Sequence, residues 1–179
     1  MRELCFALGV GNELVPPTGK PAKVWVDGEM HSLPKRHFLG VPLDLDELEE
    51  LSLLTEEGIK RAKLDFTLPD NKPTEGETVG SLIRRRLGDE VMDRLVGPLL
   101  GGINAGNADD LCLESGVPQL FSASQGDFSL VRSIQDFLKN QNRDPTSPAF
   151  LTHPDGLQTV VKRLEQEIDS NIQRNERVT

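Results

Sequence analysis

Tyrosine is absent from this chain, and tryptophan occurs once, at Trp25. Aromatic residues make up 4% of the sequence. Sheets draw heavily on aromatic and β-branched side chains, so a sheet-built domain is disfavoured. Leu, Glu, Lys and Arg are abundant instead, and these favour helices. Cysteine is scarce: Cys5 and Cys112 lie far apart in apolar contexts. They read as buried small hydrophobes rather than a disulfide or a zinc half-site. Reduced thiols and no signal peptide point to the cytoplasm. No apolar run approaches the roughly 18 residues of a spanning helix. Basic charge is short as well: 20 Lys and Arg face 29 Asp and Glu, a net charge of −9. An acidic chain repels phosphate backbones, which excludes general nucleic-acid binding.

What is present is 179 residues, enough to bury a core without metal or disulfide. Leu4, Ala7 and Leu8 keep helical spacing up to Gly9, so residues 2–9 read as the end of a helix that starts abruptly. Lys23 to Val26 alternates toward Asp27-Gly28, a hairpin turn, with Glu29 to Leu33 returning. Residues 44–54 are acidic, with Leu45, Leu48 and Leu51 three apart. Thr55 caps a helix through Phe66. Thr78 caps the strongest helix, whose stripe is Val79, Leu82, Ile83 and Leu87 and whose stop is Gly88. Asp89 and Glu90 open another, with Val91, Leu95 and Leu99 four apart, loosened at Gly97-Pro98. Residues 101–110 read as a flexible turn. A helix over 127–141 turns Phe128, Val131, Ile134 and Leu138 inward. A mobile loop spans Asn140 to Pro148. A last helix over 157–173 carries Leu157, Val160, Val161, Leu164, Ile168 and Ile172 on one face.

The chemical motifs are weak. Gly9-Val10-Gly11 starts like a dinucleotide fingerprint but follows a helix and lacks the third glycine. Gly101 to Gly106 has phosphate-loop spacing, but Asn107 stands where a lysine is needed. Those glycines suit a helix-ending turn or a close approach of backbone to a ligand. His31, His37 and His153 have no metal-ligand spacing and read as solvated or hydrogen-bonded surface histidines. In Arg84-Arg85-Arg86 the side chains diverge by about 100° per residue. They cannot grip one ligand; one or two should pair with acids and the rest face water. Lys35-Arg36-His37 is a second basic cluster, read as solvated. The pattern gives a mixed, mainly helical α+β domain with a short hairpin, no catalytic residue and no metal site.

Two stretches carry a resemblance. Thr78-Val79-Gly80-Ser81-Leu82-Ile83-Arg84-Arg85-Arg86-Leu87-Gly88-Asp89-Glu90-Val91 is the first. Leu95-Val96-Gly97-Pro98-Leu99-Leu100-Gly101-Gly102-Ile103-Asn104-Ala105-Gly106-Asn107 is the second. Together they resemble the protoporphyrinogen and coproporphyrinogen III oxidases of haem synthesis. Trp25-Val26-Asp27-Gly28, His31-Ser32-Leu33-Pro34, Val117-Pro118-Gln119-Leu120 and Gly156-Leu157-Gln158-Thr159-Val160 follow the same pattern in order. The style, including Leu-Pro before Asn71-Lys72-Pro73, is similar to the Gram-positive coproporphyrinogen type. Asn104, where an aromatic is common, Asn107, where an acid is common, and His153-Pro154-Asp155-Gly156, where a Gly-Gly pair is usual, depart from it.

The resemblance implies the inserted substrate-binding domain of a flavin amine oxidase-like fold. Residues 1–179 would form that single domain, with flavin-domain stubs near 1–20 and 150–179. The Rossmann-like FAD-binding domain, with its fingerprint, would lie outside this chain. In the full-length family enzyme FAD and oxygen oxidise a porphyrinogen by six electrons; this portion alone is expected to hold no FAD and to be inactive. The implied substrate-lining residues are Leu99, Gly102, Ile103 and Asn104. The implied partners are coproporphyrinogen III or protoporphyrinogen IX, the missing FAD-binding domain and a haem-pathway protein. Some relatives attach peripherally to membranes, which the acidic stretch from Asp44 to Glu57 opposes here. Two other readings stay open: a stand-alone helical interaction module, and the substrate domain of another amine oxidase-like flavoenzyme.

Overall fold

Thr78 shows how the strongest sequence signal becomes structure. In the computed structural model, which describes residues 2–18, 22–69, 72–126, 128–141, 150–168, 172, 176 and 177, its backbone is extended. Its hydroxyl accepts the Ser81 amide at 3.1 Å. That bond satisfies one of the donors a helix N-terminus leaves unmatched. Helix α3 (Val79–Leu87) follows over the expected span, for which helix labels here run in chain order after α1 (Arg2–Ala7) and α2 (Glu56–Lys63). Its four stripe residues are fully buried. Gly88, at φ 93, ends it. The Arg61 guanidinium then donates to the carbonyls of Arg84, Arg85 and Arg86 at 2.9–3.1 Å. So both ends of the core helix are closed.

The chain divides into two compact units, Pro21–Asn142 and Met1–Lys20 with Arg143–Thr179. The larger begins with antiparallel strands β1 (Lys23–Val26) and β2 (Glu29–Ser32) in the expected register. Asp27 and Gly28, at φ 52 and 87, make their turn. A second pair, β3 (His37–Phe38) and β4 (Val41–Pro42), was not announced by the pattern. Its turn holds Leu39 at φ 52, a residue type that gives no turn signal. The acidic leucine stretch becomes one 3-10 turn, Glu47–Glu50, with Leu45 and Leu48 buried and Leu51 packed at the core edge. Thr55 caps α2 through Gly58, and a 3-10 turn carries the chain on to Phe66.

After α3 come α4 (Asp89–Val91), a π-helical turn (Met92–Val96) and α5 (Gly97–Asn104). Two short helices follow, α6 (Leu113–Gly116) and α7 (Pro118–Ala123), which the sequence pattern left unassigned. The expected helix over 127–141 is α8 (Leu130–Asn140). Val131 and Ile134 are buried and Leu138 packs on the core, as expected. Phe128 is not inward: Ser129 caps the helix through Arg132, so Phe128 precedes it and is 69% exposed. The loop expected over 140–148 lies outside the described residues from 142 onward.

In the smaller unit α1 ends at Gly9, φ 76, as expected. A 3-10 turn (Gly11–Glu13) and a bridge between Val15 and Thr152 follow. Helix α9 is Gln158–Ile168; most of the expected extension to 173 lies outside the described residues. Its apolar face is not buried as expected. Val160 packs with Cys5 and Val10, but Leu157, Val161 and Ile168 are exposed. Two short segments supply too few apolar partners to cover it.

Candidate functional site

Residues 89–104 wind without a break, which corrects the expectation of a flexible turn from Gly101. Glycine costs about 1 kcal/mol in a helix interior. The cost is outweighed here because Leu95, Val96 and Leu100 are buried and hold the run against the core. Nor does the helix simply loosen at Gly97-Pro98. Pro98 has no amide to donate four residues back. The chain instead inserts one extra residue, and the Gly97 amide donates five back to the Met92 carbonyl. A Cβ on Gly97 would sit 2.8 Å from that oxygen, so the turn needs glycine.

Three of the four anticipated site residues fall on one side of α5. Leu99, Gly102 and Ile103 stand at i, i+3 and i+4 and share a face. Leu99 is half-buried against Gly40, whereas Ile103 is 60% exposed. A Cβ on Gly102 would meet nothing within 4 Å. Asn104 turns back: its Nδ2 donates to the Leu100 carbonyl at 3.3 Å. Ala105, left-handed at φ 52, ends the helix with its amide on Gly101. The face is therefore apolar, flat at its glycine and open.

The three arginines diverge as expected, but none is left to water. Arg86 is buried, with Nε 2.7 Å from Asp65 Oδ1 and Nη2 on the carbonyl of Phe128. Asp65 also accepts from Ser129 Oγ and from the amides of Leu130 and Val131, so one buried carboxylate caps α8 and pairs with α3. Arg85 meets the nearly buried Glu77 at 2.6 Å. Arg84 binds Asp89, Asp93 and Asp109. Its hydrogen bonds hold the Asp109 carboxyl below the ordinary aspartate range. Arg84, Asp93, Gly97, Pro98 and Asp109 line a depression of 340 Å³ that continues past Gly106 and Asn107. The partners Asp65, Asp93 and Asp109 escaped the sequence reading; none stands at helical i+4 spacing from its arginine.

The remaining candidates stay apart from this face. His31 lies on β2, and His37 on β3 accepts the Gly40 amide, with partial burial lowering its pKa. His153 is not at the surface as expected but buried, its Nε2 3.0 Å from Glu13 Oε2. It fills the space between the Val15 and Thr152 segments. Cys5 is buried and Cys112 partly so; the Ser115 hydroxyl lowers the Cys112 pKa. Among the described residues no group of three His, Cys, Asp or Glu could hold a metal. No helix of the described residues is long and apolar enough to cross a membrane. The Gly9–Leu14 segment does not fit a dinucleotide: it leaves a helix, and the Phe6 ring packs where a Gly11 side chain would stand. No catalytic step can be built on the residues present.

No family model matches the chain. It is 32% identical over 170 residues to a coproporphyrinogen III oxidase of Bacillus subtilis, spanning 93% of this chain and 36% of that protein. Identity to a Staphylococcus aureus coproporphyrinogen III oxidase is 27% over 175 residues, spanning 94% and 38%. A crystal structure from Exiguobacterium sp. 255-15, which carries the provisional name protoporphyrinogen oxidase, aligns with TM-score 0.73 and 31% identity over 92% of this chain and 36% of that one. The chain thus spans little more than a third of the length of these relatives. Sequence and fold agree across almost all of its residues, and over that stretch the chain belongs to the protoporphyrinogen and coproporphyrinogen III oxidase family.

Proposed function

We propose that this chain is the substrate-binding portion of a flavin- and oxygen-dependent porphyrinogen oxidase of haem synthesis. In that reading Leu99, Gly102 and Ile103 form one wall of the tetrapyrrole cavity, and Asn104 stands at its rim. The observation that carries it is Ile103: a large aliphatic side chain 60% exposed, beside a glycine with open space above it. A flat macrocycle needs an apolar surface with no side chain in its way. FAD is held by residues outside this chain, and the six-electron oxidation belongs to the full-length enzyme. The exposed Leu157, Val161 and Ile168 on α9 support a missing covering domain rather than a stand-alone module.

Magnitudes set what the isolated chain can do. Burying about 400 Å² of apolar macrocycle yields roughly 10 kcal/mol gross. One wall supplies half of that or less. Association costs about 4–15 kcal/mol, so little affinity survives. Exposed propionate–arginine pairs add only about 0–1 kcal/mol each and set orientation. Coproporphyrin III titrated into the chain should therefore show no submicromolar saturation of its Soret band. At high concentration it should shift the Gly102 and Ile103 amide resonances. Tight saturation, or shifts confined to other surfaces, would sink the reading.

A further inference from the structure

We infer that Arg84 is a positioning residue that clamps both ends of α5 and so fixes the face bearing Leu99, Gly102 and Ile103; the inference rests on the proposed site. One terminal nitrogen carries the geometry. Arg84 Nη2 lies 2.6 Å from Asp93 Oδ1, in the π-helical turn that enters α5. The same nitrogen lies 2.9 Å from Asp109 Oδ2, five residues beyond the helix. Nε completes a forked bond to Asp109 Oδ1 at 3.0 Å, and Nη1 reaches Asp89 Oδ1 at 2.9 Å. A guanidinium can hold several carboxylates at once in fixed directions, which an ammonium cannot.

The exit strand of this clamp is built to receive it. The amides of Val79 and Gly80, at the start of α3, donate to the carbonyls of Leu111 and Ala108 at 2.9 and 2.8 Å. A Cβ on Gly80 would fall 2.8 Å from the Asp109 Cα, so the approach requires glycine. Asn107 Oδ1 accepts the Asp109 amide, and the Asp110 amide donates to the Asn107 carbonyl, tightening the turn. Residues 105–108 are the whole tether between the helix and Asp109, and Asn104 to Asn107 are exposed. Nothing but the two ends fixes the last turn of α5 on its outer side. Arg84 does not reach the apolar face itself; it acts through the two aspartates.

Amide exchange in the intact chain tests the clamp without any ligand. Arg84→Gln should raise exchange at Gly80 and Asp110 about tenfold, while Ser133 in α8 changes by less than about threefold. Asp109→Asn should repeat that pattern if the glutamine variant fails to fold. Arg84→Lys keeps charge without the fork and should recover only part of the protection. With coproporphyrin III added, the Ile103 amide shift should fall at least twofold in Arg84→Gln and persist in Asp89→Asn. Exchange that rises equally at Ser133, or at none of these amides, overturns the clamp, as does full recovery by lysine. A wild-type chain with no response at Ile103 instead sinks the proposed site and leaves the exchange result standing.

Discussion

At the C-terminal end of α3, Arg86 is 1% exposed, and its guanidinium meets a carboxylate and backbone carbonyls. At the C-terminal end of α5, Ile103 projects outward and no atom crowds Gly102. Both are last turns of helices in the same unit. One is sealed, with its carbonyls taken up by Arg61; the other ends on a left-handed alanine in the open. Burying a charge is tolerable only when its hydrogen bonds are matched, and the α3 end meets that condition. Leaving a large aliphatic side chain in water gains nothing for folding. The contrast separates residues that keep the fold from residues available to a ligand.

The contrast can be broken most forcefully at Arg86. Arg86→Ala leaves Asp65 buried beside the α8 amides with its cation gone, and should cost about 3–5 kcal/mol in urea unfolding. A loss under about 1 kcal/mol would erase the distinction. Gly97→Ala comes next. Its methyl meets the Met92 carbonyl, so the π turn must shift at about 1–3 kcal/mol, read in the same assay. Ile103→Ser sharpens the other side. It should leave stability within about 0.5 kcal/mol and remove the coproporphyrin response at Gly102. A large stability loss there would mean that Ile103 belongs to the core.

Much of this was legible in the residues. Thr78, the stripe to Leu87 and Gly88 define α3 by local rules alone, and so do the Asp27-Gly28 turn and the Thr55 cap. The β3–β4 pair was hidden because Leu39 occupies a left-handed turn position usually given to glycine or asparagine. Phe128 was misplaced because the stripe suggested a start that Ser129 and Asp65 set later. The face of α5 was named by resemblance, while its helical form was obscured by three glycines whose low propensity the core overrides. The α9 face read as inward because amphipathic spacing tells which side is apolar, not what covers it.

The π turn has one more consequence, which concerns phase. An extra residue ahead of α5 turns everything after it by about 100° relative to an uninterrupted helix. Leu100 meets the core and Ile103 faces outward only in that setting. Deleting any one residue between Met92 and Val96 would restore plain helical winding and rotate the next two turns together. A different set of side chains would then come to the surface, with no substitution in the face itself. Alignments that place a gap there compare positions that look in different directions.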